Sequence, residues 1–294
     1  MTDDALASYR ARFRRVLSYI DAQPGADLSV ERLSSVAAFS KFHFHRQFSA
    51  LFGLSAHAYV QLARMKRAST QLTYESWRSI LEIALDNGYE SSEAFSRAFR
   101  KRFGQAPSNF RADPPWGTYE AAFHELLRIR REHMKKTYTP ADVEIVHFDE
   151  TPIAVAEHRG DPARLGETIR RFIEWRRQNG LPPKISATYN ILYTDPVTTP
   201  PEEFQHDVCC ATHKPIADNP QGVIAKLIPA GRCARLRHTG SDDLLRESVH
   251  YLYFTWLPQS GEEPRDFPLF AQRVNLYPEV PESEAIVDLF LPLA

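Results

Sequence analysis

The sequence predicts two domains of different class: an all-α N-terminal domain with two helix-turn-helix units, then an α+β domain made of a duplicated strand–helix–strand unit. Three observations carry this. The text "LSVERLSSVAAFSKFHFHRQFSALFG" recurs 50–51 residues later as "ILEIALDNGYESSEAFSRAFRKRFG". The text "TPIAVAEHRG" recurs 80 residues later as "GRCARLRHTG". Charge also divides: residues 1–116 hold 16 Lys+Arg against 11 Asp+Glu, a net of +5, and the remainder 20 against 26, a net of −6. The expected boundaries are 1–116 for the helical domain, 117–139 for a connector and 140–294 for the α+β domain.

In the first repeat Leu33 matches Ile83, Ala38 matches Gly88 and Phe39 matches Tyr89. One residue is then inserted, and Phe44, Arg46, Phe48, Phe52 and Gly53 match Phe95, Arg97, Phe99, Phe103 and Gly104. Phe44, Phe48, Leu51 and Phe52 fall at i, i+4, i+7 and i+8, one apolar helix face. Ser40 is placed to cap that helix and Gly53 to stop it. "VERLSSVA" is a shorter helix before it, so the pair reads as helix, tight turn, helix. Ala38 stands where the second copy has Gly88, at a cost of about 1 kcal/mol if the backbone there has positive φ. The stretch "SAHAYVQLARMKRASTQLTY" reads as a long amphipathic helix between the copies.

His43 and His45 are two residues apart, roughly 200° around a helix, so they cannot share a metal. The polar face runs Phe42, His45, Arg46 and Ser49, and in the second copy Glu93, Ser96, Arg97 and Arg100. A face that keeps an Arg in both copies suits a recognition helix, because Arg pairs bidentately with guanine in the major groove. The alternative is a solvated face. Basic charge in residues 1–116 points the same way, toward a polyanion.

At these motifs the sequence resembles the DNA-binding domain of AraC/XylS transcription regulators, most specifically in "IA…GY…FSRAFRKRFG…P…FR", over about residues 8–112. The resemblance implies two helix-turn-helix units in successive major grooves of double-stranded DNA. It implies base contacts from Phe42, His45 and Arg46, then from Ser92, Glu93, Ser96 and Arg97. Ser40, Arg64, Lys66, Arg100 and Lys101 are expected at phosphates; Arg64, Lys66, Arg100, Lys101 and Arg102 serve equally as solvated charge. His45 and Glu93 stand where relatives carry amides, and Glu93 would accept from cytosine or repel phosphate.

After the connector, with an amphipathic helix around Phe123–Met134, the text becomes strand-like from Val143. His158–Gly160 matches His238–Gly240, and Leu165 and Ile169 match Leu245 and Val249. After one inserted residue Trp175 matches Trp256, Gly180 matches Gly261 and Asp207 matches Asp288. Two such units, related by a pseudo-twofold, would pair their sheets and leave a groove.

This half resembles the GyrI-like effector-binding domain of Rob-like regulators. The resemblance implies a small organic effector in the groove, here beside Tyr189, Tyr193, Asp207, Trp256 and Phe270. A Glu that many relatives carry is sought at Phe270–Arg273 and is missing, which speaks against a cationic ligand and against a hydrolase.

Cys209 and Cys210 are expected on a strand, one facing each way, as inert buried thiols. His158 and His238, beside Gly turns, are expected as structural caps. No cofactor or metal site is expected. The N-terminus shows no signal-peptide core, no apolar run approaches the ~18–20 residues of a membrane span, and three cysteines suit a reducing cytoplasm. The combined expectation is an effector-controlled regulator and not an enzyme, a monomer on DNA that works with RNA polymerase. The rivals are a GyrI-like hydrolase fused to a DNA-binding domain, and a ligand-independent DNA binder.

Overall fold

The computed structural model describes residues 3–118 and 120–294. They form two units: the described residues up to Lys136 together with Tyr277–Glu284, and Thr137–Leu276 together with Ala285–Ala294. The expected connector therefore folds with the helical unit as far as Lys136.

The helical unit begins with α1 (Asp3–Ala22), which buries Phe13, Val16, Leu17 and Ile20. The first helix-turn-helix pairs α2 (Val30–Ala37) with α3 (Lys41–Phe52). Next come α4 (Ala56–Tyr74) and the second pair, α5 (Ile80–Asp86) and α6 (Ser92–Phe103). α7 (Pro107–Ala112) and α8 (His124–His133) follow. Serine hydroxyls start five of these helices: Ser29, Ser40, Ser55, Ser79 and Ser91 each accept from the backbone N–H three residues on. Gly53 and Gly104 end α3 and α6 in the left-handed conformation, at φ 78° and 72°.

Ala38 adopts that conformation too, at φ 54° and ψ 47°, as the repeat predicts. At Gly88 (φ 72°) a second constraint operates: an added Cβ would stand 2.6 Å from Arg64 Nη2. The residue inserted into the second copy falls in the turn, between Tyr89 and the cap Ser91.

Both helix-turn-helix units share one core. Phe44, Phe48 and Phe52 of α3 and Phe95 and Phe99 of α6 join α1, α4 and α8 in a single buried cluster. α4 differs from the amphipathic helix expected. It is buried on several sides, with Tyr59, Leu62, Met65, Lys66, Ser69, Gln71 and Leu72 all shielded, because both units and α8 pack around it.

The second unit holds one eight-stranded antiparallel sheet: β1 (Val143–Phe148), β2 (Thr151–Arg159), β3 (Thr188–Leu192), β4 (Gln205–Ala211), β5 (Ile224–Ile228), β6 (Gly231–Thr239), β7 (Leu269–Asn275) and β8 (Ile286–Pro292). Its order is β1-β6-β8-β7-β3-β4-β2-β5. Exchanging the two repeats and reversing the order returns the same sequence of strands, so the repeats are related by a pseudo-twofold through the β7–β3 pair. The first strand of each repeat is exchanged: β1 pairs with β6, and β5 with β2.

α9 (Leu165–Gln178) packs on the first half, burying Phe172 and Trp175 against Ala154, Ala156, Val208 and Cys210. Its counterpart α10 (Leu245–Tyr251) continues through a π-helical turn, Leu252–Trp256, into Leu257–Ser260. That wider turn takes up the residue by which the repeat offset grows from 80 to 81. His158 and His238 act as paired clamps. His158 Nδ1 lies 3.0 Å from Thr168 Oγ1, and His238 Nδ1 2.9 Å from Ser248 Oγ, while each Nε2 meets the carbonyl of the following turn.

Candidate functional site

In the helical unit, one face of α3 is core and the other is open. Phe44 and Phe48 are fully buried, whereas Phe42 is 89% exposed and His45 and Arg46 are exposed beside it. An exposed Phe at the start of a helix loses hydrophobic stabilisation unless a partner covers it. α6 repeats the arrangement: Phe95 and Phe99 are buried, Glu93 and Arg97 exposed, and Ser92 and Ser96 half-buried. Arg46 and Arg97 occupy the same position of the two helices.

Glu93 has a local task. Backbone N–H and the hydroxyls of Ser91 and Ser92 hold its carboxyl below the usual range, as a negative charge at a helix N-terminus should be held. Arg100 and Lys101 are exposed in the last turn of α6, and Ser40 is exposed with its hydroxyl accepting from His43 N–H at 3.4 Å.

Two expected phosphate contacts are corrected. Arg64 is a structural strut: Nε donates to Pro24 O at 2.8 Å and Nη2 to Ala26 O at 3.1 Å. Lys66 is buried, and its ammonium lies 2.7 Å from Glu282 Oε1. A cation so enclosed has no path to a phosphate.

In the sheet unit, side chains alternate between two faces. One packs under the helices. The other carries Tyr189 and Ile191 of β3, Cys209 of β4, Phe270 of β7 and Phe290 of β8. Register aligns Glu157, Asp207, Ile191, Phe270, Phe290 and Arg235 in a row across six strands. Phe148 of β1 fills the centre, its ring 4.7 Å from Phe270 and 5.2 Å from Phe290.

Beside these rings lies a charged cluster. Asp207 is fully buried; it accepts from Arg159 Nη1 at 2.8 Å, Lys226 Nζ at 2.7 Å and the Tyr193 hydroxyl at 3.0 Å. Burial alone would push the Lys226 ammonium down, but Asp207 and Glu157 hold it above its ordinary value. Burial and the Asp207 charge raise the Tyr193 phenol. The repeat partner Asp288 is bound bidentately by Arg237, at 2.7 Å for both bonds. Both repeat-related carboxylates are thus already answered by cations.

Tyr189, Tyr193, Asp207 and Phe270 therefore share one face. Trp256 does not join them. It packs with Ala234, Leu236 and Leu289 under the helical layer, on the opposite face from Phe270. Sequence reasoning missed Arg159, Lys226 and Phe148; the first two follow only from the register of β2, β4 and β5, which brings them to Asp207.

Cys209 and Cys210 face opposite sides, and with Cys233 they are buried free thiols raised by burial. Among the described residues no group of three or more His, Cys, Asp or Glu is placed to hold a metal, and no helix is long and apolar enough to cross a membrane.

Two helix-turn-helix pairs on one core, each with an exposed helix face, are followed in the same chain by a duplicated sheet with an aromatic face, and this is the architecture of a two-part regulator. Residues 33–113 match a helix-turn-helix domain and residues 141–294 a GyrI-like small molecule binding domain. The probable transcriptional regulator YgiV of Escherichia coli (strain K12) is 38% identical over 154 residues, covering 52% of this chain and 96% of YgiV. The uncharacterized HTH-type transcriptional regulator YbfP of Bacillus subtilis (strain 168) is 36% identical over 103 residues, 35% of each chain. The right origin-binding protein of Escherichia coli (strain K12) is 28% identical over 140 residues, covering 48% of this chain and 45% of its own. The chain belongs to the AraC-family DNA-binding transcription regulators that carry a C-terminal GyrI-like small molecule binding domain. These relatives are named as transcriptional regulators and as an origin-binding protein, not as enzymes.

Proposed function

We propose that this regulator reads an operator with α3 and α6 and is controlled by a small organic effector on the aromatic face of its sheet. Phe42, His45 and Arg46 contact bases in one major groove, and Ser92, Glu93, Ser96 and Arg97 in the next. Ser40, Arg100 and Lys101 meet phosphates. The chain binds as a monomer, since it carries two recognition helices of its own, and acts with RNA polymerase. The observation that carries the DNA reading is the recurrence of an exposed Arg at one position of both helices, at 46 and 97.

The effector face uses Tyr189, Tyr193, Asp207 and Phe270. Aromatic walls with a few polar groups suit a small organic ligand. The ligand is neutral or anionic, because Asp207 already has Arg159 and Lys226 and Asp288 has Arg237. A cation would have to displace one of these partners. Entry requires the Phe148 ring to move from its contacts with Phe270 and Phe290. A ligand acts on DNA binding only through unequal affinity for two states of the chain.

The test combines thermal-shift screening with DNA titration. A neutral or anionic compound that raises the melting temperature is added to the full chain on a duplex selected from a randomised pool. Affinity or transcript yield should change with the compound. A compound that binds this face and changes neither would refute effector control.

A further inference from the structure

Beyond its recognition helices, the helical unit contains a segment distant in sequence from the rest of it. Residues Tyr277–Glu284 belong to this unit, although the chain reaches them from β7 and leaves them into β8. The segment ends in a 3-10 turn, Glu282–Glu284, and Glu282 is buried.

The Glu282 carboxylate divides its two oxygens between two cations. Oε1 lies 2.7 Å from Lys66 Nζ of α4, and Oε2 lies 2.9 Å from Arg130 Nη1 of α8. Arg130 Nη2 in turn lies 2.8 Å from Asp21 Oδ1 of α1. All four side chains are close to fully buried, at 2% exposed for Asp21 and Arg130, 8% for Glu282 and 11% for Lys66. Two positive and two negative groups balance. Without Glu282 the set carries an uncompensated buried positive charge shared between α4 and α8, which a low-dielectric interior resists strongly.

The three helices tied here frame both recognition helices. α1 packs with α2 and α3 through Phe13, whose ring stacks on Phe44. α4 is the bridge, following α3 and preceding α5 and α6. α8 follows the second helix-turn-helix and shares its core through Phe123 at its start, which lies 5.8 Å from Phe103. A carboxylate at their junction therefore bears on the spacing of α3 and α6, the quantity that decides whether one chain reads two grooves together.

We propose that Glu282 is a positioning residue for DNA binding. It lies far in sequence from the helix-turn-helix units, on an arm whose two ends are β7 and β8. The positioning claim stands without effector control.

The experiment uses the full chain with no compound present, so its failure leaves the effector reading intact. Binding to a fluorescein-labelled duplex, selected from a randomised pool by the unaltered chain, is followed by anisotropy at fixed salt. Glu282→Gln should weaken binding about tenfold and shorten the nuclease footprint to one half-site. Glu284→Gln, at an exposed residue of the same turn, should leave both unchanged.

The deciding variant is Glu282→Gln with Lys66→Met, which restores charge balance and keeps Asp21 with Arg130. Its melting temperature should return toward that of the unaltered chain while affinity stays about tenfold down. Recovery of both would overturn the proposal, because Glu282 would then serve only to balance charge. A folded Glu282→Gln chain that binds as the unaltered one does would overturn it equally. Should Glu282→Gln alone fail to fold, the double variant gives the answer.

Discussion

The turn of each helix-turn-helix holds a residue in left-handed conformation, so both copies should favour Gly there and the inverse exchanges Ala38→Gly and Gly88→Ala should shift stability in opposite directions. Ala38 has φ 54° and ψ 47°. That conformation costs a residue with a Cβ about 1–2 kcal/mol, while Gly adds about 0.4–1 kcal/mol of unfolded-state entropy. Ala38→Gly should therefore stabilise by roughly 0.5–1 kcal/mol. Gly88→Ala meets the same backbone penalty at φ 72° and also drives a Cβ to 2.6 Å from Arg64 Nη2. Moving that guanidinium weakens its bonds to Pro24 O and Ala26 O, each worth about 0.5–1.5 kcal/mol. The sum is a loss of roughly 1.5–4 kcal/mol. Because the chain has two units, urea unfolding should be followed together with hydrogen exchange of the α2–α3 and α5–α6 amides. Ala38→Gly should slow exchange in the first pair and Gly88→Ala should speed it in the second. A Gly88→Ala chain as stable as the unaltered one, or an Ala38→Gly chain that loses stability, would refute the turn argument.

Other outcomes follow from the same geometry. Arg176 is buried and donates at 2.7 Å to Leu181 O, Thr188 Oγ1 and Ser186 O, so Arg176→Met should destabilise the sheet unit by about 3–5 kcal/mol in calorimetry. Cys209, Cys210 and Cys233 are buried with raised thiols, so an alkylating reagent at neutral pH should label none in the folded chain and all three after urea. Phe148→Ala should cost about 3–4 kcal/mol and increase binding of an apolar dye to the sheet unit, since it empties the centre of the aromatic face. Operator affinity should fall as salt rises, with a log–log slope set by the number of phosphates neutralised; a flat response would contradict phosphate contact.

The helix-turn-helix units were legible because their signals are local. A Ser cap, a left-handed Gly and Phe at i and i+4 lie within one helix, so the repeat exposes them twice. Ala38 could be read as strained for the same reason, from Gly88 alone. Lys66 was not legible: its partner Glu282 is 216 residues away, and a Lys beside Arg67 on a helix reads as solvated charge until the fold closes over it. Arg64 likewise looked like a surface cation, and only the 24–26 turn makes it a strut.

In the second unit the repeat revealed two strand–helix–strand halves but not the exchange of β1 and β5. Their burial patterns, with one buried residue at the inner end of each, would suit pairing within either half. Trp256 was misplaced because its match to Trp175 fixes its position in the repeat but not the face of the sheet. Both Trp rings serve the helical layer.

The central claim, that α3 and α6 each read one groove, is tested most directly by selecting operator sequences in parallel for the unaltered chain, Arg46→Ala and Arg97→Ala. The unaltered chain should yield two short base preferences centred about one helical turn apart. Each variant should lose about 1–3 kcal/mol of specific binding and relax preference in one half-site only, a different half for each. Selections in which both variants keep every base preference, or in which each relaxes all positions evenly, would contradict the account.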